Sequence, residues 1–131
     1  MVAPSPAPPT PLVVPLVVIV DDDAGVRGSL DSLLRSAGMR GLGFARGEEL
    51  LAAGVAPGAD CIVTDLHMPG MTGLDLQSEL ARRGCRTPVI VMTAFPTDTA
   101  RDQALSAGAR AFLAKPLDPD ALLEAIEAAL A

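Results

Sequence analysis

The chain has 131 residues, half of them hydrophobic, and a net charge of −6. That length favours one domain with a sizeable apolar core. The ten Lys and Arg residues are scattered and there is no Trp or Tyr beside the three Phe, which excludes both the basic stripe and the stacking platform of a nucleic-acid binder.

Residues 1–15 carry six of the 12 prolines. Such a Pro/Ala-rich stretch cannot bury a core, and its prolines remove backbone donors, so it reads as a disordered, partly polyproline-like extension. Pro8-Pro9-Thr10-Pro11 fits a P-x-x-P recognition pattern, although a passive tail is the simpler reading of so short a match. The longest apolar run, Leu12 to Val20, is nine residues interrupted by Pro15, whereas a membrane span needs ~20. It also lacks a basic leader and a cleavage pattern, so the expected location is the cytoplasm.

Residues 16–131 alternate strand and helix signals. Leu16–Val20 is continuously apolar, as in a strand buried on both faces. Val26, Leu30, Leu33, Leu34 and Ala37 follow at helical spacing, and Gly38 stops them. Met39–Ala45 is a weaker strand, Glu48–Ala53 a short helix, and Gly54 with Pro57-Gly58 a turn. Cys61–Thr64 is a strand running into Asp65, with Cys61 as a buried small hydrophobe. Cys61 and Cys85 lack metal-ligand spacing.

Thr72-Gly73-Leu74-Asp75 predicts a capping box and a helix ended by Gly84. Pro88–Thr93 is a further buried strand. Thr97–Ala107 is a helix poor in large apolar residues and closed by Gly108. Arg110–Ala114 is the last strand. Asp118-Pro119 then supplies an N-cap and a Pro at the first helical position, with Leu122, Leu123, Ile126 and Leu130 as the apolar stripe. Five alternating strand–helix units imply a doubly wound α/β domain with a parallel sheet and helices on both faces.

In such sheets ligands sit beyond the carboxyl ends of the strands. Asp21-Asp22-Asp23, Asp65, Thr93 and Lys115 all fall there. Two carboxylates 4 Å apart repel by roughly 4 kcal/mol at an effective dielectric of 20. Lys115 offsets part of that cost. A hard divalent cation would offset the rest and leave a position for a phosphoryl oxygen.

Val18-Ile19-Val20-Asp21-Asp22-Asp23, Val63-Thr64-Asp65-Leu66-His67-Met68-Pro69-Gly70-Met71-Thr72-Gly73, Val91-Met92-Thr93-Ala94 and Lys115-Pro116 stand in this order. Together they resemble the receiver domain of two-component response regulators, over residues 16–131. The stretch around Leu117-Asp118-Pro119-Asp120 is similar to receivers that control helix-turn-helix transcription factors. The resemblance implies a flavodoxin-like (βα)5 fold with strand order 2-1-3-4-5. It implies Asp65 as phosphoacceptor from a sensor histidine kinase or histidine phosphotransfer protein. Mg2+, for which Mn2+ can substitute, would be held by the Asp22 and Asp65 carboxylates and the His67 backbone carbonyl, with Asp21 acting through a water or a hydrogen bond. Thr93 and Lys115 would hold phosphoryl oxygens, Lys115 pairing with Asp65 beforehand, and the Lys115–Pro116 peptide would be cis. Thr93 and Phe112 would form a switch acting on the surface of the fourth helix, fifth strand and fifth helix, through which a homodimer is possible. Such a domain catalyses only its own phosphorylation and slow dephosphorylation.

Several readings stay open at this stage. A one-residue slip would move the acid pair to Asp22-Asp23, but the strand length favours Asp21-Asp22 and leaves Asp23 as the cap of the first helix. His67 either contributes only its carbonyl or, with Phe95, tunes phosphoryl lifetime. Phe112 is either core or switch. A phosphorylation-independent interaction module is the alternative function. An aspartyl-phosphate hydrolase of the haloacid dehalogenase type wants an Asp where His67 stands.

Overall fold

The run Leu16–Val20, written LVVIV, has no polar face, and the fold buries it on both sides as strand β1. A computed structural model describes residues 14–131, so the P-x-x-P segment and residues 1–13 of the expected extension lie outside the described residues. The remaining strands are β2 (Arg40–Phe44), β3 (Cys61–Asp65), β4 (Val89–Thr93) and β5 (Ala111–Ala114). All pair in parallel, in the order β2-β1-β3-β4-β5. The doubly wound α/β architecture and its strand order are those expected.

The helices are α1 (Ala24–Ser36), α2 (Gly47–Ala53), α3 (Gly73–Arg82), α4 (Asp98–Ser106) and α5 (Pro119–Leu130). A short 3-10 turn at Ala56–Gly58 stands where Pro57-Gly58 predicted a turn. The caps explain the boundaries. Asp23 accepts from the amides of Gly25 and Val26 and caps α1, the role expected of it. Thr72 and Asp75 form a full capping box at α3. Thr97 caps α4 by accepting from the Ala100 amide, so it precedes the helix that it was expected to begin. Asp118 and Pro119 open α5 as read.

Two apolar layers sandwich the sheet. One holds Val18, Ile62, Val91, Leu50, Leu76 and Leu80 under α2, α3 and α4. The other holds Ile19, Val63, Ile90, Leu34, Leu122 and Ile126 under α1 and α5. Alternate residues of each strand serve opposite layers, which is why β1, β3 and β4 lack polar alternation. Cys61 is fully buried in the second layer, and burial pushes its thiol up to about 12, so it is an inert core residue.

Helix α4 is the exception. Ala104 is its one buried residue, and Leu105 remains 39% exposed. A helix anchored by little more than Ala104, Ala100 and one bond from Gln77 opens more cheaply than its neighbours. Replacing Ile90, wholly buried between two strands, with Ala should lower unfolding free energy by about 2–5 kcal/mol in urea titrations. Leu105→Ala should change it by less than about 0.5 kcal/mol.

Candidate metal and phosphoryl site

The parallel sheet brings the ends of its strands to one edge. Asp21 follows β1, and its amide donates to the Phe44 carbonyl at 3.1 Å, extending the β1–β2 ladder by one residue. Asp65 is the last residue of β3 and Thr93 the last of β4. Lys115 follows β5, and its amide donates to the Thr93 carbonyl at 2.8 Å. The Lys115–Pro116 peptide is cis. Asp21, Thr93 and Asp65 are buried, whereas Asp22 and His67 are exposed.

One carboxylate oxygen from each of Asp21, Asp22 and Asp65 lies within 4.8 Å of the other two. Lys115 Nζ reaches Asp21 Oδ2 at 2.6 Å and Asp65 Oδ2 at 3.5 Å. The sequence reading paired Lys115 with Asp65 at rest; the shorter contact belongs to Asp21. The reason is solvation. The Asp21 side chain has no solvent exposure and Asp65 keeps 8%, so the more deeply buried charge takes the cation. The other Asp21 oxygen accepts from the Asp23 amide at 2.9 Å.

These surroundings set the ionisation. Burial pushes the Asp65 carboxyl above its ordinary 3.8, the Asp21 charge pushes the same way, and Lys115 only partly opposes them. For Lys115, burial favours the neutral amine, but the hydrogen bond and charge of Asp21 and the charge of Asp65 outweigh it and hold the ammonium above its ordinary 10.5. The site is thus short of positive charge by about one cation. Its donors are all oxygens, and Asp21 is the carboxylate already held at both oxygens, by Lys115 Nζ at 2.6 Å and the Asp23 amide at 2.9 Å. That set fits Mg2+, which takes one or two carboxylates and keeps several waters.

Glycine lets the next helix come close. A Cβ on Gly73 would lie 2.6 Å from the Asp65 carbonyl oxygen and 3.0 Å from the Leu66 Cα. The Gly73 amide instead donates to the Leu66 carbonyl at 2.9 Å. The start of α3 is therefore in direct contact with the backbone of Asp65.

Thr93 Oγ1 accepts from the Phe95 amide at 3.0 Å. The His67 and Phe95 rings meet edge to face, with centroids 5.8 Å apart, and link the loops that leave β3 and β4. Phe112 is half-buried against the layer that contains Ala104 and Val91. Beside the acids, a groove of about 520 Å³ is lined by Val26, Leu30, Leu33, Leu117 and Pro119, with Lys115 as its shared wall.

Two residues escaped the sequence reading. Arg27 Nη1 donates to the Asp21 carbonyl at 2.7 Å. Its signal was a cation near the amino end of α1, where the helix dipole disfavours one. Glu48 Oε1 accepts from the Met71 amide at 3.0 Å, across 23 residues of sequence that give no hint of the contact.

The response regulator receiver domain profile matches residues 17–127. This chain belongs to that family. The receiver is 43% identical over 114 residues to the transcriptional regulatory protein FixJ of Azorhizobium caulinodans, covering 87% of this chain and 54% of the relative. It is 37% identical to the DNA-binding transcriptional regulator NtrC of Salmonella typhimurium, covering 88% of this chain and 24% of that protein. The receiver thus spans about half the length of the first relative and a quarter of the second. Among solved structures, the chemotaxis protein CheY4 of Vibrio cholerae superposes with a TM-score of 0.82 at 28% identity, covering 89% of this chain and 99% of that one. Receivers of response regulators are signalling modules of two-component systems, fed with phosphate by histidine kinases, and are not classical enzymes. Among the described residues, no helix is long and apolar enough to cross a membrane.

Removing the ammonium while keeping its stem tests the charge balance. Lys115→Met should cost about 3 kcal/mol in metal-free urea melts, because it leaves Asp21 buried and unpaired. Asp22→Asn, at an exposed position, should raise metal-free stability slightly and abolish Mg2+-dependent stabilisation.

The raised Asp65 pKa sets a pH dependence. A carboxyl that holds its proton more tightly when folded stabilises the fold below its unfolded pKa, and loses that contribution as pH rises through its folded pKa. Without metal, Asp65→Asn should therefore be more stable than wild type at pH 7. The gap should close as pH falls through the raised Asp65 pKa, above 3.8, in paired melts.

Proposed function

We propose that Asp65 accepts a phosphoryl group from a phosphohistidine of a sensor histidine kinase or histidine phosphotransfer protein, and that this switches the surface formed by α4, β5 and α5. The observation that carries the reading is the convergence of Asp21, Asp22, Asp65 and Lys115 on one edge of the sheet.

The chemistry follows from charge. The transition state of phosphoryl transfer is loose, so catalysis is mostly positioning and neutralisation. The Asp65 carboxylate attacks phosphorus; a P–O bond forms as the P–N bond breaks, and the departing imidazole nitrogen keeps the electron pair. Lys115 pairs with one phosphoryl oxygen. The Thr93 hydroxyl turns from its place beside the Phe95 amide and donates to another. Asp22, Asp65 and the His67 carbonyl hold Mg2+ or Mn2+, with Asp21 acting through a water. The bound ion supplies the positive charge that the site lacks. Slow hydrolysis of the acyl phosphate resets the domain.

Thr93 turning inward frees space toward Phe112, which moves from its half-buried position and carries the weakly anchored α4 with it. Phosphate shifts that equilibrium only by binding the two arrangements differently. The partner that delivers the phosphoryl group rests in the apolar groove between α1 and the segment after Lys115, because Lys115 belongs to groove and site alike. The likeness to FixJ and NtrC supports a transcriptional output controlled by the switched face, with homodimerisation as one means. The extension expected over residues 1–15 remains a proposal for residues 1–13, whereas the Pro15 carbonyl accepts from the Arg40 amide at 2.8 Å and so belongs to the sheet.

Incubation with Mg2+ and a small acyl-phosphate donor separates the readings. The expected result is one phosphate per chain, absent in Asp65→Asn. Repeated turnover would indicate a hydrolase, and no labelling an interaction module. With the phosphorylated protein in hand, the His67–Phe95 pair predicts that His67→Ala changes the dephosphorylation half-life; an unchanged half-life would limit His67 to its carbonyl.

A further inference from the structure

The loop from Leu66 to Thr72 carries the His67 carbonyl; Met68 anchors its middle in the apolar layer under α2 and α3, but its tip at Pro69-Gly70 is exposed. Leu66 and Gly73 close its two ends through the Gly73 amide and the Leu66 carbonyl. Between them, residues 67–71 belong to no helix or strand. The His67 amide turns back to the Asp65 carboxylate, and at the far end of the loop the Met71 amide donates to Glu48 Oε1 on α2.

Two further contacts tie Glu48 and its helix to this loop. Glu48 lies in the first turn of α2, which begins at Gly47. A Cβ on Gly47 would lie 3.1 Å from Met71 Sδ, so Met71 packs directly against the start of that helix. The second carboxylate oxygen of Glu48 lies 3.1 Å from the point where a Cβ on Gly70 would stand, and Gly70 has φ +76°, a conformation that glycine adopts without strain. The carboxylate thus covers one peptide of the loop tip and accepts from the next.

We infer that Glu48 is a positioning residue for the metal site: by fixing the loop after Asp65 it holds the His67 carbonyl ready for Mg2+. The inference rests on the proposed metal site and extends it to a residue on another helix that touches neither metal nor phosphate. Without the anchor the loop samples more conformations, and the ion must order it on binding. Residues behind metal ligands set affinity in this way. A charged acceptor also binds an amide more strongly than a neutral one, so Glu48→Gln, which keeps an acceptor oxygen, should recover most of the effect.

The test is Mg2+ affinity by isothermal titration of the full chain, with metal-free melting temperature recorded for each variant. Glu48→Ala should weaken Mg2+ binding roughly tenfold, the low end for loss of an outer-shell partner. Glu48→Gln should stay within about threefold of wild type, the range left by a neutral acceptor in place of a charged one. Asp22→Asn serves as the control for the site itself. Wild-type affinity in Glu48→Ala, with binding lost in Asp22→Asn, would overturn the inference and leave the metal site standing. Mg2+ binding that survives Asp22→Asn, or is absent in wild type, would overturn the metal site instead. A lower melting temperature in Glu48→Ala with unchanged affinity would reduce Glu48 to a fold-stabilising residue and also overturn the inference.

Discussion

The constraint on which this molecule turns is a carboxylate with nowhere to go. Asp21 follows a strand buried on both faces, its amide locked into the sheet ladder, so its side chain cannot swing out to water. An isolated charge there would cost more than a domain of this size commands. Lys115 meets it at 2.6 Å, and to do so the chain must bring a residue 94 positions away to the same edge. Strand order, crossover hand and the loop after β5 all have to be right before that single bond forms. The ion pair therefore specifies the topology more than it stabilises it.

The same bond explains why the site remains receptive. Lys115 is largely spoken for by Asp21, and its longer contact with Asp65 leaves that carboxylate undercompensated. A site fully neutralised by its own residues would have little use for a cation. This one is built with a deficit, and the deficit falls on the residue proposed as nucleophile.

Much of this was legible in the sequence, for reasons that can be named. β1, β3 and β4 are apolar runs that end in or lead directly into polar residues, so both burial and the site's edge could be read from them. Caps such as Asp23, Thr72 with Asp75, and Asp118 are local, and local signals survive without a structure. The partner choice of Lys115 was not legible, because it depends on which of two acids is deeper, a difference in solvation that appears only once the sheet is assembled. Glu48 was invisible for a similar reason. An acidic residue in the first turn of a helix is satisfied by the helix dipole alone, and nothing marks the one that also reaches a distant loop.

The missing Cβ at Gly73 has a mechanical consequence. The first residue of α3 lies against the Asp65 carbonyl, so that end of the helix has no room to move closer to β3. On the other flank, β4 ends at Thr93 and hands over to four exposed residues, then to a helix with one buried side chain. Compliance around Asp65 is one-sided. The carboxylate thus sits between close-packed backbone at the start of α3 and an exposed segment leading to α4.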